Sequence, residues 1–204
     1  MSGVPPGALL APTLIHRFTS IIEPLDWAQL FASAQPVEME IGSGDGGFLS
    51  RHASAQPSRN FVGVERLLGR LRKLDRRARR AGLQNVRPLR IEAEYLLRYL
   101  VPHQSLHAVH IYFPDPWPKA RHAKHRLVKA GFPELLHRVL APSGVVYLRT
   151  DHLEYALQMR EVFDASPQFA AVETPAALAA IATEFETAFN ALGKPTQRAA
   201  YQRR

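Results

Sequence analysis

The 204 residues suit one good-sized domain, and a 46% hydrophobic share is enough apolar material for a real core. Lysine and arginine outnumber the acids 26 to 18, a net charge of +8 that points to an anionic partner, nucleic acid first. The absence of cysteine excludes disulfides, thiolate zinc sites and cysteine nucleophiles; no apolar run approaches bilayer length, and Met1 to Pro12 lacks a basic start, so no secretory signal, no membrane and a cytoplasmic location are expected.

Residues 1–35 read as a preface whose Ile21, Ile22, Leu25, Trp27, Leu30 and Phe31 are expected to pack against the domain that occupies residues 36–204. From Val37 onward strand-like and helix-like segments alternate, the pattern of an α/β fold. The first strand, Val37 to Ile41, runs into Gly42-Ser43-Gly44-Asp45-Gly46-Gly47, and a helix follows from Gly47 to Ala55. Glycines between a strand and a helix let backbone approach a ligand without Cβ interference. Glu40 precedes the first glycine, and Glu65 ends the second strand, Asn60 to Glu65. An acid at the end of the second strand suits the two hydroxyls of a ribose. Nicotinamide dinucleotides and S-adenosylmethionine both present one, but Glu40 would repel a pyrophosphate and attract a cationic amino-acid end, which favours the methyl donor.

A helix from Leu67 to Ala81 places Leu67, Leu71, Leu74 and Ala78 on one stripe and Arg66, Arg70, Arg72, Lys73, Arg76, Arg77, Arg79 and Arg80 around it, with Asp75 the only acid. Such a face either attracts phosphates or is simply solvated. The third strand, Val86 to Ile91, leads to Glu92 and a helix over Ala93 to Leu100; Glu92 could accept an adenine amine or act as the helix's N-terminal acid.

The fourth strand, Leu106 to Phe113, delivers Pro114-Asp115-Pro116-Trp117-Pro118-Lys119 to its carboxyl end. Three prolines bias their predecessors to extended geometry, so Asp115 and Trp117 belong to a stiff loop at the ligand-binding edge of an open sheet. Arg121, Lys124 and Arg126 follow as phosphate-binding candidates, with Trp117 or Phe113 to stack a base. His122 and His125 share a possible ligand spacing but have no cysteine or clear carboxylate beside them, so no metal is expected.

Later come a helix from Leu127 to Leu140 stopped by Pro142-Ser143-Gly144, a strand from Val145 to Thr150, a helix from Leu153 to Ala165, and weaker strands at Phe169 to Val172 and Arg198 to Gln202. Asp151 stands where it could cap the helix or touch substrate. Thr183 and Glu186 carry the same ambiguity, because they satisfy the capping-box spacing.

The glycine turn with its flanking acids, the segments Gly63-Val64-Glu65 and Phe113 to Val128, Thr150-Asp151, and Thr183-Glu184-Phe185-Glu186 together resemble the bacterial tRNA (guanine-N7)-methyltransferase family. The resemblance covers roughly 150 residues in order. It implies a single-domain, Rossmann-like class I fold, a mostly parallel seven-stranded sheet with helices on both faces, and methyl transfer from S-adenosylmethionine to N7 of a guanine in the tRNA variable loop. It further implies that Glu40, Gly42, Gly44, Glu65, Glu92 and Asp115 bind the cofactor, with Asp115 between cofactor and guanine. Lys119, Asp151, Thr183, Glu184, Phe185 and Glu186 would contact substrate, and Arg121, Lys124 and Arg126 would hold RNA. The chain departs from the pattern at Glu92, where Asp is usual, at Glu184, where a basic residue is common, and at Ala188-Phe189, in place of Arg-Gly.

Overall fold

The computed structural model describes residues 12–204; the reading of Met1 to Pro12 as no secretory signal falls mostly on residues 1–11, outside the described residues. Among the described residues seven strands lie in the order β3-β2-β1-β4-β5-β7-β6: β1 Val37–Ile41, β2 Asn60–Val64, β3 Val86–Leu89, β4 Leu106–Tyr112, β5 Leu140–Thr150, β6 Phe169–Val172 and β7 Gln197–Arg203. All pairings are parallel except those of β7, which runs antiparallel between β5 and β6. The strand order reverses between β1 and β4, the place where open α/β sheets bind ligands at their carboxyl ends.

Among the described residues one α-helix precedes the sheet, α1 Trp27–Leu30, and the others connect its strands: α2 Gly47–Ala55, α3 Leu68–Arg80, α4 Ala93–Tyr95, α5 Phe132–Val139, α6 Leu153–Asp164, α7 Ala176–Ala179 and α8 Glu184–Ala191. The period-2 pattern of β1 separates the two sheet faces. Val37, Met39 and Ile41 join the main core with Val62, Val64, Val109, Ile111, Val146 and Leu148. Glu38 and Glu40 point the other way, in register with Phe61, Gly63 and His110. On that face a second core, Leu49, Ala53, Phe61, Leu71, Leu74, Ala78 and Val86, packs α2 and α3 onto β2 and β3. Toward β4 and β5 it gives way to buried polar groups, Glu38, Glu40, His110 and Arg149.

Several expected boundaries shift for local reasons. The helix expected from Leu127 starts at Phe132, because Gly131 caps it in the left-handed region (φ +82) and Pro133 favours its first turn. It ends at Val139, and Pro142 to Gly144 lie within β5 instead of between helix and strand. The helix expected over Ala93 to Leu100 is α-helical only to Tyr95 and then π-helical over Leu96–Leu100. In the preface Leu25, Leu30 and Phe31 are buried, but Ile21 and Ile22 are 58% and 81% exposed and do not pack as expected. No helix among the described residues is long and apolar enough to cross a membrane.

Candidate active site

The glycine turn opens a space that matches its sequence. Gly42 and Gly44 sit at φ +75 and +53, conformations that favour glycine, and a Cβ built on either would meet nothing within 4 Å. Beneath them Glu40 is 4% exposed, and its Oε2 has no hydrogen-bond partner. Burial holds the Glu40 carboxyl well above the usual carboxylate range, the positive Arg149 opposes this, and the neighbouring Glu65 reinforces it. A buried acid with an unspent oxygen is costly unless a partner completes it. The Ser43 hydroxyl is likewise buried and unpartnered. Glu65 follows directly on β2, which stops one residue sooner than expected, and one of its oxygens accepts from the Leu67 amide at 2.8 Å. An orphaned acid beneath an open turn and an acid at the end of β2 fit a ligand with a cationic end and a ribose.

Glu92 is otherwise engaged. Its two oxygens accept from the Glu94 and Tyr95 amides at 3.0 and 2.7 Å, so it caps α4, the second of the two roles open to it. Asp151 does not take the capping role open to it. His152 takes the N-cap position of α6 and accepts from the Tyr155 amide at 3.2 Å, which leaves Asp151 out of the cap.

Residues Pro114 to Pro118 form neither helix nor strand, as expected. Phe113 and Trp117, however, take φ +50 and +43, although each precedes a proline and was expected to be extended. For bulky side chains this is strained backbone, and strain of this kind gathers at ligand sites. Asp115 between them is exposed and makes no hydrogen bond or ion pair among the described residues. Trp117 is 38% exposed, with the rings of His122 and His125 at 5.9 and 5.3 Å from its own. Phe113 is enclosed by Phe185 and Phe189, at 6.3 and 5.7 Å between ring centres. Of the two stacking candidates Trp117 is therefore the accessible one.

Lys119, Arg121 and Lys124 are exposed around this loop, the last two in a 3-10 segment, Ala120–His125. Arg126 is not with them: only 3% exposed, it donates to the Pro116 carbonyl at 2.7 Å and to Gln158, and pairs with Glu154 at 2.9 Å. Its guanidinium, 5.0 Å over the Tyr155 ring, braces the loop from within and is withdrawn from any RNA.

The C-terminal segment folds over the same edge. Thr183 and Glu186 form a complete capping box on α8, and Glu186 is fully buried. Its carboxylate pairs with Arg149 at 2.9 Å and with Arg198, so neither residue of the box faces a substrate. Phe185 stays 48% exposed. Glu184 reaches back to the start of α2, where a Cβ on Gly47 would lie 2.8 Å from its Oε1, and pairs with Arg77 of α3 at 2.7 Å. The helix α2 has no side-chain cap of its own, so Glu184 supplies negative charge to that N-terminus.

Arg149 was missed by sequence reasoning. Its guanidinium is buried 4.3 Å over the Tyr112 ring and donates to the Leu178 and Ile181 carbonyls at 2.7 and 2.8 Å, tying α7 and the approach to α8 to the end of β5. An arginine directly after the apolar run Val145-Val146-Tyr147-Leu148 was the available signal.

A family model described as "Putative methyltransferase" matches residues 34–199. A tRNA (guanine-N(7)-)-methyltransferase of Geobacter metallireducens is 41% identical over 138 residues, covering 68% of this chain and 65% of the relative. A protein of the same name from Thermotoga maritima is 36% identical over 160 residues, or 78% of this chain and 50% of the relative. The chain thus spans between half and two thirds of the length of these curated relatives. Among solved structures, the 30S ribosomal A1408 methyltransferase from an uncultured bacterium superimposes with a TM-score of 0.60 at 14% identity, covering 87% of this chain and 92% of its own. TrmN from Thermus thermophilus does so with a TM-score of 0.57 at 22% identity, covering 84% and 45%. These likenesses establish the fold, and with a family match running from the preface into β7 over an acid-flanked glycine turn, the chain belongs to this methyltransferase family.

Proposed function

We propose that the protein transfers a methyl group from S-adenosylmethionine to N7 of a guanine in the variable loop of tRNA. The observation that carries this reading is the buried, unpartnered Glu40 oxygen beneath the open glycine turn, with the uncommitted Asp115 at the end of the adjacent strand. The names of the curated relatives support the choice of guanine and tRNA. Glu40 would receive the cofactor's ammonium and Glu65 its ribose hydroxyls. Bound there, S-adenosylmethionine supplies an electrophilic methyl group.

Guanine N7 has an exposed lone pair, so no general base is needed. The protein's own contribution is to align the purine and to tolerate the positive charge it acquires. Asp115 accepts from the N1 and N2 donors of guanine, a pattern adenine lacks, and sets a negative charge beside the cation. Trp117 stacks the base while Lys119, Arg121 and Lys124 meet phosphates, with Asp151 and Phe185 at the rim. Incubation with unmodified tRNA and methyl-labelled cofactor, followed by nucleoside identification, should yield 7-methylguanosine. A different methylated nucleoside, or none, would discard the assignment.

Glu40→Gln should weaken cofactor binding about 10- to 100-fold, since a hydrogen bond to a charged group is worth roughly 1.5–3 kcal/mol. The cofactor-free protein should respond in the opposite sense. A carboxyl raised in the fold gives stability that is present below about pH 4 and lost as pH rises. The gain in melting temperature of Glu40→Gln over wild type should therefore grow between pH 5 and pH 8. A constant difference across that range would show that Glu40 is not a strained acid in the empty site.

On α3, Arg70, Arg72 and Arg76 are exposed and form no ion pair among the described residues, whereas Lys73 and Arg77 pair with Asp45 and Glu184. Changing the three arginines to alanine should weaken tRNA binding and flatten its logarithmic salt dependence by about 0.7–0.9 per lost phosphate contact. An unaltered slope in a titration over salt concentrations would mark the face as merely solvated.

A further inference from the structure

Below the candidate active site, on the same sheet face, side chains from three elements converge. Glu38 of β1 places Oε2 2.9 Å from Nε2 of His52 on α2 and 2.8 Å from Nε2 of His110 on β4. All three residues are buried, and the three atoms lie within 4.8 Å of one another. We propose that Glu38, His52 and His110 form a binding site for one divalent transition-metal ion of the zinc class. This proposal is independent of the methyl-transfer reading.

One carboxylate oxygen and two imidazole nitrogens are a donor set that such ions favour, leaving a fourth position for water. The surroundings already supply what orients metal ligands. Glu38 is limited to one oxygen because Oε1 is held by Arg59. The Nδ1 of His110 is 2.9 Å from the Tyr112 hydroxyl. The His52 ring stacks with Phe48 at 5.3 Å, and the His110 ring stacks with Tyr147 at 5.3 Å, so both ring planes are set. Arg59 and Tyr147 are only partly buried, which opens a route for the ion and its water.

The present spacing is that of a proton-bridged cluster. Four-coordinate zinc, with bonds of about 2.0–2.1 Å, separates its ligand atoms by about 3.3 Å, so the two Glu38–histidine spacings, now 2.9 and 2.8 Å, open by a few tenths of an ångström. The protons balance within the imidazoles. Each Nε2 proton that now points at Glu38 moves to Nδ1, freeing the Nε2 lone pair for the ion. His110 then donates to the Tyr112 hydroxyl, and the His52 Nδ1, buried and unpartnered at present, becomes the N–H. The bound ion ties α2 to the sheet directly behind the glycine turn. Spacing arguments pass over this cluster because positions 38, 52 and 110 are far apart in sequence; they weigh only the loop pair His122 and His125.

The test uses the full chain, stripped with chelator and titrated with Zn²⁺ in a calorimeter, with Co²⁺ as a spectroscopic probe. One ion per chain is expected, with a raised unfolding temperature and the visible bands of four-coordinate cobalt. His52→Gln should weaken binding about 10- to 100-fold, and His122→Ala with His125→Ala should leave it unchanged. Absence of saturable one-to-one binding by wild type, equal binding by His52→Gln, or loss in the loop variant would overturn the proposal. Should His52→Gln fail to fold, a wild-type cobalt spectrum typical of six-coordinate aqueous ion would overturn it alone.

Discussion

Arg149→Met should cost the fold about 3–5 kcal/mol, since removing one partner of a buried pair strands the other charge. The stranded group is Glu186, fully buried on α8, with Arg198 as its remaining partner. The Leu178 and Ile181 carbonyls lose their donor as well, so the loss falls on the connection between β5 and α7–α8. Methionine keeps much of the side-chain volume, which separates the charge effect from a cavity effect. Adding Glu186→Met should restore more than half of the lost stability, because an apolar replacement of both partners leaves no uncompensated charge. Urea unfolding of the wild type, both single variants and the double variant closes the cycle. Simply additive losses would mean that the pair is not the coupling on which the C-terminal segment rests.

The order of elements was legible because each carries a local signal. In β1 the alternation of Val37, Met39 and Ile41 with Glu38 and Glu40 marked a strand and also divided its faces. The glycine turn with Glu40 and Glu65 was readable for the same reason: its chemistry is local, and backbone geometry makes the spacing obligatory. What failed to show was commitment at a distance. Arg126 looked like its exposed neighbours Arg121 and Lys124, and only the approach of Glu154 and Gln158 from α6 turns it inward. Glu186 looked available until Arg149 and Arg198 claimed both of its oxygens. Phe189, standing where the resemblance leads one to expect glycine after arginine, joins Phe185 around Phe113 and so builds an aromatic wall that no local pattern describes.

Asp115→Ala should leave folding and cofactor binding intact and lower the rate of methyl transfer by about 10²–10³-fold, the usual effect of deleting one preorganised electrostatic group. The fold should not respond, because Asp115 is exposed and holds no partner among the described residues; surface changes of that kind stay within about 0.5 kcal/mol. Cofactor affinity should also hold, since the buried, unpartnered acid next to the glycine turn is Glu40. The strained residues on either side, Phe113 and Trp117, keep the loop's shape without help from the Asp115 side chain. Asp115→Asn separates the two parts of its role. The amide retains the size and one acceptor but presents a donor to the donor edge of guanine and no charge to the alkylated purine, so it should be nearly as damaging as alanine. Single-turnover assays at saturating cofactor, beside calorimetric binding of the cofactor, distinguish these effects. Wild-type turnover by Asp115→Ala would remove Asp115 from the mechanism, and a parallel loss of cofactor binding would move it from the acceptor side of the site to the donor side.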